Sequence, residues 1–410
     1  MLVVLLKFAE VGTRAIFVVG TSYLLPLDQA GQFGLIVTLQ GLASFAFGYE
    51  RHTDIQRRVV GAEPWTFDRA VGQALRLFAT NYLVVSPIYA ALLLILMGLS
   101  PWLICLAIVV AVAEQLMNQA YLMAMVNPRY RPLMGLAVMK NTAILAVLAW
   151  LMLADPARLG LGAVLVTWAA ASVGTVGVAA LIWIRLRHPH PDPGPGLRES
   201  LSAQYRASWH HFLLGLVAIL ALQIDRLVIG AVMPLDQVGV YFRHILMVSM
   251  IYQVFNIAFL NRVLPAVFAL AKRAPLSDLQ AIAQREYLRV LVFVGALALA
   301  GLALHLVTGD ALADRFSLVP AYFAGLLVMS CVRMRADFNG LILNALHQEA
   351  VIFRLQLISF ALNFPVLVGL TWALGIPGTI ASGITGAALY LALTRRTLIR
   401  QDRESPALAT

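Results

Sequence analysis

The stretch PLDQAGQFG at residues 26–34 returns as PLDQVGVYF at residues 234–242. Pro, Leu, Asp, Gln and Gly occupy the same positions in both copies, which are offset by 208 residues, about half of the 410-residue chain. Each copy follows one long apolar run and precedes another. A repeat of this kind predicts two similar halves, and transporters use two such halves to open a central cavity to either side of a membrane.

The composition indicates a membrane protein. Hydrophobic residues make up 61% of the chain and charged residues only 12%, whereas soluble domains contain about 25% charged residues. The length accommodates about twelve spans of roughly 20 residues and leaves no room for a soluble domain of about 100 residues, which argues against most enzymes. Cys105 and Cys331 lie in separate apolar runs and predict neither a disulfide framework nor a metal site.

The apolar runs predict twelve transmembrane helices in two sets of six. The predicted spans are 2–25, 31–49, 77–98, 101–126, 133–153, 161–184, 212–233, 238–261, 288–307, 318–344, 350–373 and 376–394. We therefore expect an all-α polytopic membrane protein with two pseudo-symmetric six-helix bundles, at 1–184 and 212–394. A Pro-rich cytoplasmic linker at 185–211 separates them, and a basic cytoplasmic tail follows at 395–410.

The distribution of Lys and Arg predicts the orientation in the membrane. Alternate connecting segments carry 21 of these residues, whereas the segments on the other side carry only Arg158 and Arg315. By the positive-inside rule both termini and the linker are cytoplasmic. The Arg-rich segment 50–76 contains Trp65 and Phe67, a mixture that predicts a separate helix on the cytoplasmic surface.

Apart from Arg289 and Arg354, which lie at span ends and are counted with the connecting segments, eleven charged residues fall within the predicted spans, and most of them are basic. The basic residues are Lys7, Arg14, Lys140, Arg226, Arg243, Arg333 and Arg335, and the acidic residues are Glu10, Glu114, Asp225 and Asp337. A charge at mid-bilayer costs roughly 2.5–3.5 kcal/mol on insertion scales. The positive excess therefore predicts a cationic, water-filled cavity.

Five basic residues are the candidates for binding an anionic substrate: Arg14, Lys140, Arg226, Arg333 and Arg335. A guanidinium suits phosphate oxygens because it donates several hydrogen bonds in a fixed plane. Arg226 and Arg335 are the preferred pair. Arg333 and Asp337 are four residues apart and can simply pair, and Lys7, Glu10 and Arg14 share one helical face, so they form an ion triad or line the cavity.

Three acidic residues, Glu114, Asp225 and Asp337, are candidates for coupling transport to H⁺ or Na⁺, since a carboxyl in a partly dry site binds and releases a cation. Each of them is alternatively a counter-ion for a basic residue. The predicted polar residues of the cavity are Glu10, Asn118, Gln119, Asn256 and Asn339. Hydrogen bonding between helices is the alternative role for such side chains.

Two stretches resemble polysaccharide flippases of the O-antigen or Wzx type, in the multidrug/oligosaccharidyl-lipid/polysaccharide (MOP) exporter superfamily. They are LLPLDQAGQFGLIVTLQGLASFAFGYE (24–50), after a charged first span, and LALQIDRLVIGAVMPLDQVGVYF (220–242). The resemblance implies a MATE-like, V-shaped pair of bundles in the bacterial inner membrane. It also implies ion-coupled transfer of an undecaprenyl-pyrophosphate-linked oligosaccharide to the outer leaflet, for O-antigen and lipopolysaccharide, capsule or exopolysaccharide synthesis.

The implied partners are membrane lipid, the lipid-linked oligosaccharide and polysaccharide polymerase machinery, with no cofactor, metal or nucleic acid. Three alternatives remain. A cation-coupled multidrug exporter of the same superfamily is expected to have an acidic cavity. A lipid II flippase is expected to have two further spans. A membrane glycan polymerase or ligase is expected to have a large outer loop, whereas the outer loops here are short. We therefore interpret the chain as a transporter and not an enzyme.

Overall fold

A computed structural model describes residues 2–52, 55, 64–187, 200–271, 273–308 and 319–404. Within these residues the chain is almost entirely helical. The α-helices are α1 (Leu2–Leu24), α2 (Leu27–Gly48), α3 (Pro64–Met97), α4 (Pro101–Val126), α5 (Pro132–Ala154), α6 (Leu161–Leu186), α7 (Leu201–Val232), α8 (Leu235–Phe255), α9 (Asn261–Leu270), α10 (Leu276–Thr308), α11 (Pro320–Ala345), α12 (Glu349–Leu374) and α13 (Ile376–Glu404). A π-helical turn, Asn256–Leu260, joins α8 to α9.

Each of the twelve predicted spans corresponds to a helix of the structure. Nine helices in the described part of the chain are long and apolar enough to cross a membrane. The other three predicted spans lie in α1, α10 and α11. Both α1 and α11 carry three charged residues near their middle, so they need protein or water beside them if they cross the bilayer.

The chain forms two compact units, Met1–Leu220 and Ala221–Thr410, here called unit 1 and unit 2. Unit 1 contains α1–α6 and the first part of α7, and unit 2 contains the rest of α7 and α8–α13. In unit 1, α4 packs against α6, α1 against α5, and α2 against both α3 and α4. In unit 2, α13 packs against α11 and α12, and α11 also packs against α8.

The repeated PLDQ motif begins an equivalent helix in each unit. Pro26 and Pro234 both lie directly before a helix, with φ/ψ of −52°/156° and −60°/150°. The Pro ring fixes φ and the missing N–H costs nothing at a helix start. Asp28 and Asp236 lie in the first turn, where a carboxylate interacts favourably with the helix dipole. The sequence repeat is therefore also a repeat of local structure.

The prediction of a separate surface helix at 50–76 is wrong for residues 64–76. Residues 64–76 form the beginning of α3, which continues without a break to Met97. Phe67, Val71, Ala74 and Phe78 explain this continuity, because they lie on one helical face and are all buried in the core of unit 1. Residues 53–54 and 56–63 of the predicted helix lie outside the described residues.

The predicted division at 185–211 and 395–410 remains a prediction, although helices extend into both segments. α7 begins at Leu201, so residues 201–211 are helical, and α13 continues to Glu404. Residues 188–199 and 405–410 lie outside the described part of the chain, as does Arg315. These helix ends lie beyond the predicted span ends, because hydropathy reports where a helix leaves the apolar layer and not where it ends.

Candidate functional site

Unit 1 contains a polar cavity of about 270 Å³, here called the polar cavity. Its walls come from α1, α2, α4 and α5, from the residues that follow α2, and from Ile219 of α7. Six predicted residues meet there: Glu10, Arg14, Glu114, Asn118, Gln119 and Lys140. They belong to three separate predicted spans, so the structure brings together residues that are far apart in the sequence.

Glu114 and Lys140 form a buried ion pair in the wall of the polar cavity. Their side chains are only 7% and 5% exposed. Trp168 Nε1 and Ser172 Oγ donate to the same carboxylate oxygen of Glu114, at 2.8 and 2.9 Å. A buried carboxylate with three donors is well satisfied, and this geometry is that of a counter-ion for Lys140.

The residues of α1 form one close ion pair. Lys7 Nζ lies 2.8 Å from Glu10 Oε2, and Lys7 also lies over the ring of Tyr121, 4.4 Å from its centroid. Arg14 lines the same cavity, is exposed, and makes no ion pair within the described residues. Arg14 interacts electrostatically with Glu114, but it lacks the direct contact with a carboxylate that Lys7 and Lys140 make.

The polar cavity is not as cationic as the sequence predicts. Lys7, Arg14 and Lys140 face Glu10, Glu114 and a third carboxylate, Glu50. The reason is local: Tyr49 and Glu50 have φ of 49° and 51°, a left-handed conformation that turns the chain after α2. The turn places Glu50 at the cavity and not on a surface helix.

His52 also lines the polar cavity and lies outside the predicted spans. Burial lowers the pKa of its imidazole, and this effect exceeds the opposing effect of Glu50, whose Oε2 is 3.6 Å from Nε2. His52 is thus neutral at pH 7 and adds no positive charge to the cavity.

Three buried oxygens at the polar cavity have no hydrogen-bond partner in the described part of the chain. They are Gln40 Oε1, Gln119 Oε1 and Tyr121 Oη, on residues that are 2%, 5% and 4% exposed. Leaving a buried polar group unpaired is costly. A ligand with several hydroxyl groups has the donors to satisfy these oxygens.

Sequence reasoning missed four residues of this cavity: Gln40, Ser44, Glu50 and His52. Gln40 and Ser44 are four residues apart in the otherwise apolar α2, and Gln40 Nε2 donates to Ser44 Oγ at 3.2 Å. That spacing is a detectable signal of a polar face. Glu50 and His52 gave no such signal, because their position depends on the backbone turn at Tyr49.

Unit 2 contains its own cavity of about 120 Å³, in which Asp225, Arg333 and several neutral polar residues lie among apolar side chains. Arg333 Nε donates to Asp337 at 3.2 Å, and its guanidinium lies 4.8 Å from the ring centroid of Tyr390. Tyr241 donates a hydrogen bond to Asp225 Oδ2. Asp225 Oδ1 has no hydrogen-bond partner among the described residues.

Sequence reasoning also missed the polar face of α12 in the unit 2 cavity. Gln356, Ser359 and Asn363 follow each other at intervals of three and four residues, so they share one helical face, and all three line the cavity. Thr379 of α13 lies in the same wall. The spacing on α12 is the signal that could have found them.

Five predicted residues do not line either cavity described above: Arg226, Asn256, Arg335, Asp337 and Asn339. Asn339 Nδ2 donates to Thr394 Oγ1 at 3.3 Å, which joins α11 to α13. Asn256 begins the π-helical turn. Asp337 accepts hydrogen bonds from Tyr252 and Arg333.

Arg226 and Arg335 form no ion pair in the described part of the chain. Arg226 Nη2 donates to Ser249 Oγ at 3.4 Å, while its buried Nε has no partner. Arg335 lies 5.5 Å from the ring centroid of Tyr287, and its buried Nη1 has no partner. Both guanidinium groups thus retain donors for an anion.

Solved membrane transporters share this architecture. The chain is similar to an inward-facing multidrug resistance MATE family transporter of the MOP superfamily, with a TM-score of 0.63 and 15% identity over 96% of both chains. It is similar to the lipid II flippase MurJ in an inward closed conformation, with a TM-score of 0.73 and 10% identity over 97% of this chain and 88% of that one. An outward-facing MATE transporter gives a TM-score of 0.59 at 14% identity.

The predicted fold is confirmed: the chain is an all-α polytopic membrane protein with the fold of MATE transporters and MurJ. No protein-family model matches the sequence, and no curated protein matches it. Among the described residues, no group of three His, Cys, Asp or Glu side chains is placed to hold a metal ion.

Proposed function

We propose that the chain is a flippase of the O-antigen or Wzx type, and not an enzyme. It moves an undecaprenyl-pyrophosphate-linked oligosaccharide from the inner to the outer leaflet of the bacterial inner membrane, for the synthesis of a cell-surface polysaccharide. The fold supports a transporter, and one neighbour of the same fold, MurJ, is named as a lipid II flippase. Alternating access of the two halves is the mechanism expected for such repeats.

The polar cavity of unit 1 carries this proposal. Arg14 is exposed there without an ion pair among the described residues, and three buried oxygens, on Gln40, Gln119 and Tyr121, lack hydrogen-bond partners. A pyrophosphate accepts hydrogen bonds from a guanidinium, while sugar hydroxyls donate to amide oxygens and to a tyrosine hydroxyl. An oligosaccharide pyrophosphate offers both kinds of group in one ligand.

The acidic residues differ in their suitability for ion coupling. Glu114 and Asp337 each have a basic partner, whereas Tyr241 is the only hydrogen-bond partner of Asp225 among the described residues, and Asp225 has an unpaired oxygen at the unit 2 cavity. We therefore propose Asp225 as the residue that binds H⁺ or Na⁺, with Glu114 and Asp337 as counter-ions. Arg226 and Arg335 remain proposed contacts for the anionic head of the substrate.

A cation-coupled exporter is the second candidate function. The three carboxylates of the polar cavity, on Glu10, Glu50 and Glu114, favour it, since a cationic drug pairs with carboxylates. Several neighbours of the same fold are named as multidrug resistance transporters. Against it, Glu10 and Glu114 already pair with Lys7 and Lys140.

Deletion of the gene in its host distinguishes these functions. Lipid-linked oligosaccharides of the inner membrane are analysed after complementation with the wild type or with Arg14→Ala, Arg226→Ala or Arg335→Ala. Arg158→Ala is the matched control, because this side chain is 78% exposed, lies outside the spans and pairs with Asp155.

We expect pyrophosphate-linked repeat units to accumulate in the deletion strain and surface polysaccharide to be lost. The wild type and Arg158→Ala restore the polysaccharide, and Arg14→Ala does not, at equal protein level. If the deletion leaves the polysaccharide and its precursors unchanged and makes the cells sensitive to cationic drugs, the chain is an exporter and not a flippase.

A further inference from the structure

Unit 1 has a second cavity, of about 260 Å³, whose lining is apolar and which is here called the apolar cavity. It lies between the first part of α3 and the last parts of α4 and α6, and α4 separates it from the polar cavity. Its walls include Phe67, Val71 and Phe78 of α3, Met123 of α4, and Ala180 and Trp183 of α6. A dry cavity of about 150 Å³ binds a benzene-sized molecule, so this one has room for a longer apolar segment.

The apolar cavity is accessible from the lipid-facing surface of the bundle. Leu75 of α3 and Ile184 of α6 line it and are 39% and 51% exposed. Exposed apolar side chains on transmembrane helices face the acyl chains of the bilayer. An acyl chain can therefore enter the cavity from the side, without crossing a polar layer.

The three segments that form this end of unit 1 carry a strong excess of positive charge. Residues 64–78, 116–133 and 176–187 contain one acidic residue, Asp68. Asp68 is only 1% exposed and accepts a hydrogen bond from Tyr130. The same segments contain six basic residues, which are Arg69, Arg76, Arg129, Arg131, Arg185 and Arg187. The charge at this end of the bundle thus complements an anion.

Arg187 is the basic residue that lies in line with the wall of the apolar cavity. It follows Trp183 and Ile184 by four and three residues, so it shares their helical face. Its backbone N–H donates to Trp183 O at 2.9 Å, and its guanidinium lies 6.0 Å from the ring centroid of Trp183. The side chain is exposed and forms no ion pair within the described ranges. It therefore has donors available for a phosphate.

Trp183 and Arg187 also indicate the depth of this site in the membrane. They lie at the end of the sixth predicted span, which the distribution of Lys and Arg predicts to be cytoplasmic. Tryptophan is enriched at the level of the lipid headgroups. The guanidinium of Arg187 thus lies where the phosphate of a lipid of the cytoplasmic leaflet would be.

We propose that the apolar cavity binds an anionic phospholipid of the cytoplasmic leaflet, with one acyl chain in the cavity and its phosphate at Arg187. Basic pockets between transmembrane helices on the cytoplasmic side bind anionic headgroups, and the acyl chain supplies the apolar part of the ligand. The excess of arginine favours an anionic headgroup over a zwitterionic one. This inference does not rest on the flippase proposal, since it requires only that the chain lies in a membrane.

Lipid binding by arginine variants tests the headgroup contact. The purified full chain, as wild type, Arg187→Ala or Arg185→Ala, is delipidated in detergent. It is titrated with dioleoyl phosphatidylglycerol or dioleoyl phosphatidylcholine, and bound lipid is measured by native mass spectrometry. Arg185→Ala is the matched control, because Arg185 is also exposed at the end of α6 but lies two residues from Arg187, on a different helical face.

We expect the wild type to bind phosphatidylglycerol about fivefold more tightly than phosphatidylcholine, the effect of one arginine at a membrane surface. Arg187→Ala should remove this preference, and Arg185→Ala should retain it. Equal affinity of the wild type for both lipids overturns the proposal. Equal losses of preference in the two variants also overturn it, because the preference then comes from the general positive charge of this end.

Filling the cavity tests the acyl-chain contact. Ala180 and Val178 are both exposed on α6, but only Ala180 lines the apolar cavity. We expect Ala180→Phe to lose most of the bound phosphatidylglycerol, because the ring takes the place of the acyl chain, whereas Val178→Phe keeps it. Unchanged binding by Ala180→Phe overturns the proposal.

Photocrosslinking of the wild type in nanodiscs makes the test independent of variant folding. Phosphatidylglycerol with a diazirine on one acyl chain should label α3 near Val71 and α6 near Trp183. Excess phosphatidylglycerol should block this labelling, and excess phosphatidylcholine should not. Equal labelling of Leu83, which is 79% exposed and does not line the cavity, identifies bulk lipid and overturns the proposal.

Two other occupants of the apolar cavity have their own signatures. Labelling that undecaprenyl pyrophosphate blocks and phosphatidylglycerol does not would assign the cavity to an isoprenoid lipid. Absence of labelling in a chain that is dimeric in detergent would assign it to a second copy. Either result overturns the phospholipid site. None of these experiments measures transfer of a lipid-linked oligosaccharide, so failure of the site leaves the flippase proposal standing.

Discussion

At the residue scale, the buried pair of Glu114 and Lys140 is an energetically demanding interaction. Removing both charges from water is expensive, and their attraction compensates only when the remaining hydrogen bonds are made. Trp168 and Ser172 supply those bonds to Glu114. Removing one of the two residues while the other remains therefore strongly destabilises the fold.

We predict that Glu114→Gln lowers stability by about 3–5 kcal/mol, because Lys140 is left as an uncompensated buried charge. The double variant Glu114→Gln with Lys140→Met should recover most of that loss. Glu10→Gln is the control: it removes the partner of Lys7, a side chain that is 41% exposed, and should cost less than about 1 kcal/mol. Thermal unfolding in detergent measures all three.

The prediction fails if Glu114→Gln unfolds at the wild-type temperature, or if the double variant is no better than the single one. Either result means that Glu114 and Lys140 are not coupled. Glu114 then returns as a candidate for ion coupling, the alternative that the sequence leaves open.

Residue roles were only partly predictable from the sequence. Glu114, Asn118 and Tyr121 are spaced by four and three residues, which predicts that they share one helical face, and all three line the polar cavity. The partner of Glu114 lies 26 residues away on α5, and no local pattern identifies it. Glu50 was missed because its place depends on two left-handed residues, Tyr49 and Glu50 itself.

At the element scale, the turn between α12 and α13 is a close contact that requires glycine. A Cβ built on Gly378 would lie 1.9 Å from the backbone oxygen of Leu370, far inside contact distance. Gly375, at the start of the turn, has φ of +64°, which glycine adopts without strain. The close approach of α12 and α13 depends on both residues.

We predict that Gly378→Ala destabilises unit 2 by about 1–3 kcal/mol or more, because the obstacle is backbone and cannot rotate away. Gly369→Ala on α12 is the matched control, since nothing lies within 4 Å of its added Cβ. It should be neutral or stabilising by up to about 1 kcal/mol. Folded yield and melting temperature are compared for the two variants.

A wild-type melting temperature for Gly378→Ala contradicts the packing of α12 on α13. Equal losses for both variants point instead to a general intolerance of α12 and α13 to alanine. Only a loss confined to Gly378→Ala supports the close approach.

The existence of the helices was predictable, and their ends were less so. Apolar runs identify the spans, and Pro101, Pro132 and Pro320 begin α4, α5 and α11, as expected for the first turn of a helix. The extensions of α3 and α13 beyond the apolar layer were not predictable from hydropathy. Charged residues such as Arg69 and Arg396 are good helix formers in water, so a helix continues through them.

At the scale of the whole molecule, the direction of each span remains a prediction. Exposed Trp102 at the start of α4 and exposed Trp150 near the end of α5 lie at the predicted outer ends of their spans. Tryptophan is enriched at membrane–water interfaces, so this arrangement agrees with cytoplasmic termini.

Cysteine labelling tests this orientation. In a chain with Cys105→Ala and Cys331→Ala, we predict that Ala157→Cys reacts with a membrane-impermeant maleimide in intact spheroplasts. Arg131→Cys should react only after the membrane is permeabilised. Both positions are exposed, so a reversed pattern would mean that the topology is inverted.

The fold could be predicted from the sequence more fully than the substrate. Hydropathy and the PLDQ repeat indicate two helical halves, and the similarity to MATE transporters and MurJ at 15% and 10% identity agrees with that. Substrate binding depends on which side chains meet inside each unit. The surplus of basic residues in the sequence does not show that the carboxylate of Glu50 offsets positive charge in the polar cavity.

The most direct test of the account is transfer of a lipid-linked oligosaccharide by the purified chain. Fluorescent undecaprenyl-pyrophosphate oligosaccharide is placed in proteoliposomes, and its exposure to an impermeant quencher is followed with and without a proton or sodium gradient. We predict protein-dependent transfer that Arg14→Ala abolishes and Arg158→Ala leaves unchanged. If the lipid stays in its leaflet while the same proteoliposomes move a cationic dye, the flippase assignment is wrong.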